Sequence, residues 1–276
     1  MPIATVGWTV IELLQHDFMV RALIVGSFIG ISAALLGPFL VLRRSAMIGD
    51  GLAHVSFASV SIALLLGTQP LLFSIPLVII ASFGIIKLTE KADVYADAAI
   101  GLVSSFSVAL GVLLASLGKG FSVDLYSYLF GSILVIRTEE VWLTVLLTIV
   151  MLTLLAVFYR DLFAMTYDEE YAKTQKLPTR QLNYFVSIVT AITIVLGIRV
   201  VGTMLISSLI VFPAVTALQL AKSFRTTFIY SALISLFSVI TGIALSYYLN
   251  LPTGASIVMV NGAAFVVAFL LRRARV

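Results

Sequence analysis

Cysteine is absent from the 276 residues. That absence removes disulfides, thiolate metal sites and thiol catalysis together, so any metal here must be met by oxygen and imidazole. Charge is scarce as well, with Asp, Glu, Lys and Arg making up 11% of the chain and histidine occurring only at His16 and His54. No GxxxxGK[ST] loop occurs, so the chain cannot hydrolyse ATP on a P-loop, and no HExxH occurs to support a metalloprotease. The GxGD signature of intramembrane aspartyl proteases is incomplete, because Ile48-Gly49-Asp50 lacks the first glycine. The one Tyr-Asp pair that could complete such a site, Tyr167-Asp168, falls in a hydrophilic segment. Short segments of alternating polarity, the mark of a membrane β-barrel, are missing too. The first residues, MPIATVGW, carry no basic stretch, so no cleaved signal peptide is expected.

What fills the chain is apolar. Hydrophobic residues make up 61% of it, and the mean hydropathy is +1.15. Apolar runs of about 18 residues or more recur along its length, each long enough to cross a hydrocarbon layer of about 30 Å. The expected fold is all-α, a polytopic transmembrane helical bundle of about eight to ten spans in a single domain, 1–276. Spans are placed near 19–42, within the stretch 43–67, and near 70–86, 98–117, 141–159, 182–198, 200–220, 227–248 and 254–271, with Arg199 alone separating the sixth from the seventh. Pro213, inside the seventh, should break backbone bonds there. Residues 1–18 read as an amphipathic helix at the interface, with Trp8 at headgroup depth and His16 solvated. Residues 125–136 are apolar but too short to span, and fit a re-entrant or interfacial helix. Gly26 and Gly30 form a GxxxG pair that suits a close helix contact, inside the chain or between subunits.

The net charge of +4 points to basic loops rather than to a nucleic-acid surface, and no nucleic-acid partner is expected. Arg43 and Arg44, Lys87 and Lys91, the stretch 160–180, Lys222 and Arg225, and the arginines from Arg272 to Arg275 all fall on one side if nine spans are counted. That side is then the cytoplasm, with the N-terminus outside and the C-terminus inside.

One span departs from the apolar rule. Between Arg43 and Gly67 lie Asp50 and His54, four residues apart and therefore stacked on one helix face. Ionisable groups inside a span mark ion or substrate paths by default, and a carboxylate with an imidazole is half of a divalent-metal site. The plainer alternative has Asp50 capping the helix start and His54 donating to a neighbouring carbonyl. A second polar feature is the long hydrophilic stretch 160–181. In it Asp168, Glu169 and Glu170 lead a short helix, as suits the positive end of its dipole, Lys173 and Lys176 follow, and Pro178 stops it.

Several motifs together resemble one family: the integral-membrane permease of bacterial ATP-binding-cassette importers for zinc and manganese. They are LRR followed by GDGLAH over Leu42–His54, ADAAIG at Ala96–Gly101, YLFG at Tyr128–Gly131 and DEEYAK…LP over Asp168–Pro178. VVGTMLISSLIVFPAVTA at Val200–Ala217 and LPTGASIV at Leu251–Val258 complete the set. The resemblance implies a transport subunit of a bacterial plasma membrane rather than an enzyme. It implies two copies of the chain around a pathway, a separate ATPase pair and an extracellular metal-binding protein that delivers the ion. It assigns Asp50 and His54 to the metal in transit. It assigns the coupling helix, 168–178, to the ATPase, through Asp168, Glu169, Glu170, Tyr171, Ala172, Lys173, Leu177 and Pro178. No permanently bound cofactor is implied; Zn²⁺ or Mn²⁺ is cargo.

Two departures stand out. Lys176 occupies a place where the family usually has glycine, so the turn there is expected to differ. After His54 the chain reads Val55-Ser56-Phe57-Ala58-Ser59 rather than the Ala-Val-Leu-Pro-Gly of manganese members, which favours zinc, with manganese next. The alternative that needs no ATPase is a proton-coupled secondary transporter in which Asp50 and His54 relay protons.

Overall fold

In a computed structural model, residues 16–91, 95–117, 123–132, 138–203 and 205–274 are described. Their regular elements are all helices. In chain order these are α1 (Asp17–Leu42), α2 (Ile48–Leu65), α3 (Pro70–Lys91), α4 (Ala96–Leu117), α5 (Val123–Phe130) and α6 (Thr138–Val157). There follow α7 (Tyr159–Tyr167), α8 (Glu169–Thr174), α9 (Thr179–Val201), α10 (Ile206–Leu220), α11 (Phe224–Leu249) and α12 (Thr253–Arg273). Eight of them are long and apolar enough to cross a membrane, and α10 is a shorter apolar helix of 10–17 residues. Most of the expected N-terminal amphipathic helix lies outside the described residues; its last two, Asp17 and Phe18, open α1.

Burial divides the bundle into two layers. The most apolar windows of α1, α2 and α9 are 67%, 72% and 67% buried, whereas those of α3, α4, α6 and α12 are each 28% buried. The inner helices approach closely because small residues line their contacts. A side chain at Gly26 or Gly30 would run into Val239 of α11, and one at Gly37 would strike the Ile210 carbonyl of α10 at 2.2 Å. The GxxxG pair is thus an internal contact of α1 with α11. Ser235 and Ser231 of α11 reinforce it by donating to the Gly30 and Ala34 carbonyls at 2.8 and 2.7 Å. Interhelical bonds of this kind contribute about 0.6 kcal/mol each.

Two expectations are corrected by the chain path. Arg199 does not divide two spans: α9 runs through it to Val201, since a single charge breaks no backbone bond. The break falls at Gly202, whose φ of +87° suits glycine, and α5 fills the gap it leaves. The Thr203 amide donates to the Tyr128 carbonyl at 2.9 Å, and a side chain on Gly202 would meet the Leu129 carbonyl at 2.3 Å. Pro213 costs α10 one N–H bond without ending it, and the helix runs on to Leu220, because a helix can lose one such bond and persist when neighbours pack it. Finally, the segment from Tyr159 to Gln181 holds α7 as well as α8 and the first turn of α9. The amphipathic α7 sinks Leu162 and Met165 into the protein, at 0% and 1% exposure.

Candidate functional site

Asp50 and His54 lie in the first two turns of α2. From Ile48 to Ser61 every residue of that helix is buried except these two. Two glycines beside Asp50 explain how the backbone can sit so deep. A side chain at Gly51 would press on Ile100 of α4 at 2.7 Å, and one at Gly49 would meet Ile210 of α10 at 3.2 Å. Helix α2 is therefore wedged between α4 and α10, and the face carrying the acid and the imidazole is left open.

The i,i+4 spacing brings the pair together as the sequence predicts. His54 Nε2 stands 3.5 Å from Asp50 Oδ2, with side-chain exposures of 20% and 33%. Ser207, from the first turn of α10, points its hydroxyl at the other carboxylate oxygen, Oδ1, at 3.4 Å. Both contacts are long, since firm N–H···O and O–H···O bonds span about 2.7–3.2 and 2.5–3.0 Å. The carboxylate is partnered but not saturated. The alternative in which His54 merely bonds a neighbouring carbonyl has no such contact among its described interactions. Among the described residues no group of three or more His, Asp or Glu gathers elsewhere as a metal cluster. His16, the second imidazole, is exposed and stacks on Phe18 with 5.4 Å between ring centres.

Ser207 was missed by sequence reasoning. It sits inside the Val200–Ala217 motif, but 157 positions from Asp50, and nothing in local spacing pairs them.

At the charged end of the bundle α8 is capped as the acidic run predicts. Asp168 accepts from the Tyr171 amide at 2.9 Å, and Glu169 and Glu170 occupy the first turn. Ala172 is buried, Tyr171 is 56% exposed, and Leu177 and Pro178 follow the helix as its exit. Lys173 bonds Glu170 at 2.8 Å and approaches Glu169 at 3.6 Å. The Glu170 hydrogen bond, helped by the charge of both glutamates, lifts the Lys173 ammonium above its ordinary 10.5.

The Lys176 turn keeps the left-handed conformation that glycine favours, with φ +56°. Its amide bonds the Lys173 carbonyl at 3.0 Å, and the Leu177 amide bonds Ala172 at 3.1 Å. This paired pattern closes a helix end and satisfies two carbonyls, which offsets the roughly 1–2 kcal/mol a side chain costs in that conformation.

Sequence and fold comparisons agree on where such a chain belongs. The sequence model described as "ABC 3 transport family" matches residues 15–272. The manganese transport system membrane protein MntC of Listeria monocytogenes is 31% identical over 258 residues, 94% of this chain and 92% of the relative. The manganese import system permease protein ScaB of Streptococcus gordonii is 30% identical over 258 residues, 93% and 92% of the two. Among solved structures, a chain of PsaBC from Streptococcus pneumoniae in complex with Fab matches with a TM-score of 0.85. The identity there is 29%, and 94% of each chain is covered.

Proposed function

The chain belongs to the ABC 3 transport family, and from that premise we propose that it is the membrane permease of an ATP-driven importer of a divalent transition metal, with Asp50 and His54 meeting the ion in transit. The observation that carries this reading is the exposure pattern of α2: thirteen of its residues are buried, and the open ones at its start are an acid and an imidazole. Lipid is the least favourable surface for such a pair, so the open face belongs on a polar conduit.

A bare dication cannot enter hydrocarbon, and its water shell has to be replaced by fixed donors. Asp50 supplies an anion, neutral His54 a borderline donor and the Ser207 hydroxyl a further oxygen. One chain offers too few donors to strip an ion. A second copy facing the first would double the set, which is why a homodimer completes the reading. The long contacts within the site suit passage, since an ion held tightly would not leave. The chain has no P-loop, so the motor is a separate ATPase. The residues from Asp168 to Lys173, with Leu177 and Pro178, form its docking element on the cytoplasmic side. The N-terminus is outside, where a metal-binding protein would hand over the ion.

For the cargo, Mn²⁺ comes first and Zn²⁺ second. The relatives are named for manganese, and a set dominated by oxygen suits the harder ion. The residues after His54 argue the other way. Cells lacking the chain, complemented and supplied with radiolabelled manganese or zinc, provide the test. Saturation at lower manganese than zinc is the expected result, with Asp50→Asn lowering uptake about 100-fold. Parental uptake by Asp50→Asn would remove this site from the route, and uptake without any ATPase would favour the proton-coupled alternative.

A further inference from the structure

We propose that Arg43 is a positioning residue that ties the docking helix to the start of the ion-path helix, so that movement of α8 is delivered to Asp50. The inference rests on reading α8 as the ATPase-docking element.

Arg43 is the C-terminal cap of α1, and its guanidinium reaches three other elements. One nitrogen pairs with Glu169 Oε2 of α8 at 2.9 Å. The other bonds Asn183 Oδ1 of α9 and lies 3.8 Å from Met165 Sδ of α7. Of the ion pairs at this end among the described residues, Arg43–Glu169 is the most enclosed, with side-chain exposures of 20% and 37%. Arg180–Glu90, at 3.5 Å with exposures of 63% and 36%, is a looser neighbour. A short, enclosed, charge-assisted pair holds geometry in a way that an exposed one does not.

The backbone beyond Arg43 is equally constrained. Arg44 takes the left-handed conformation, φ +54°. The Ser45 amide bonds the Leu40 carbonyl at 2.8 Å, the Arg44 amide bonds Val41 at 3.1 Å, and the Ile48 amide bonds Ser45 at 3.1 Å. The closed helix end therefore runs almost directly into α2, whose third residue is Asp50. No slack segment stands between Glu169 and the carboxylate of the ion path. Glu169 also shares its other oxygen with Lys173 at 3.6 Å, so the pair is anchored to the body of α8. Beside the node lies a cavity of about 280 Å³, bordered by Arg43, Ser45, Ile48, Glu90, Glu169 and Asn183. It provides room for α8 and the α1–α2 turn to shift together without a clash.

The decisive quantity is the number of ions moved per ATP hydrolysed, measured on the complex with its ATPase in proteoliposomes. In Arg43→Gln the ATPase should still co-purify at the parental yield, while ions moved per ATP fall about 10-fold, the scale of one charge-assisted bond. Arg43→Glu and Glu169→Arg should each uncouple, and the double exchange should recover most of the ratio. A purely structural role would lower hydrolysis and transport together and leave their ratio alone. An unchanged ratio in Arg43→Gln, or a double exchange no better than its singles, overturns the proposal while sparing the docking reading. A parental chain that retains no ATPase overturns both.

Discussion

Helices α2 and α8 each carry an acid four residues ahead of a basic group, and the two pairs have opposite fates. On α2, Asp50 and His54 stand 3.5 Å apart; on α8, Glu169 and Lys173 stand 3.6 Å apart. The spacing is the same, and so is the reason the partners meet. The surroundings differ. Glu169 is held by Arg43 as well, and Lys173 by Glu170, so that every charge has a closer partner than its i,i+4 neighbour. Among the described residues, the Asp50 carboxylate has only the long Ser207 contact besides His54. A saturated pair is a brace, and an unsaturated pair among buried neighbours has capacity left for a ligand.

The sharpest test of that contrast is to delete the basic member of each pair. His54→Ala should lower metal uptake about 100-fold, the upper end of what losing even a residue that only supports a metal ligand costs. Lys173→Ala should change it by no more than about 5-fold, because exposed ion pairs contribute little. Equal losses in radiolabelled uptake would break the comparison. Ser207→Ala is next in size. A 3.4 Å contact is a weak tie, so uptake should drop about 3-fold with assembly intact; a loss as large as that of His54→Ala would make Ser207 a full ligand.

Lys176→Gly relieves a left-handed side chain, and should stabilise the turn after α8 by about 0.5–1 kcal/mol, allowing for the freer unfolded chain. A rise in melting temperature of the purified protein checks it, and a fall would mean that Lys176 makes a contact of its own. The smallest effect concerns pH. A raised lysine pKa gives a contribution that is complete below 10.5 and is lost only as pH climbs past the raised value. ATPase co-purification should accordingly be unchanged between pH 7 and about 9, on the grounds that Lys173 stays charged there. A steep loss across that interval would show that Lys173 titrates earlier and is not held by its glutamates.

The legible features were those with local causes. The spans followed from run length, α8 from an acidic first turn with a stop at Pro178, and the Asp50–His54 contact from helical spacing. Even the odd segment near 125–136 was recognisable as too short, though only its part up to Ser132 is described, and α5 accounts for it through Phe130. The misses had non-local causes. Ser207 and the partners of Arg43 come from elements more than a hundred positions away. The break after Val201 depends on the Tyr128 carbonyl of α5 accepting from the Thr203 amide, and the charge at Arg199 misdirected the boundary because polarity is a poor guide to where a backbone turns. Helix α7 was hidden inside a hydrophilic stretch, and it docks through two buried side chains, Leu162 and Met165, and through ring contacts of Tyr159 and Phe163 with Phe224.

By itself the sequence determined that this is a helical membrane protein without thiol or P-loop chemistry, and that one span carries an acid above an imidazole. Which face of each span is covered was decided only by the tertiary structure. Lipid and protein interior are both apolar, so an almost uniformly apolar helix carries little periodic signal to tell them apart. The close fit of Gly49 and Gly51 against Ile210 and Ile100 buries α2 on most sides, and leaves Asp50 and His54 on the side that remains.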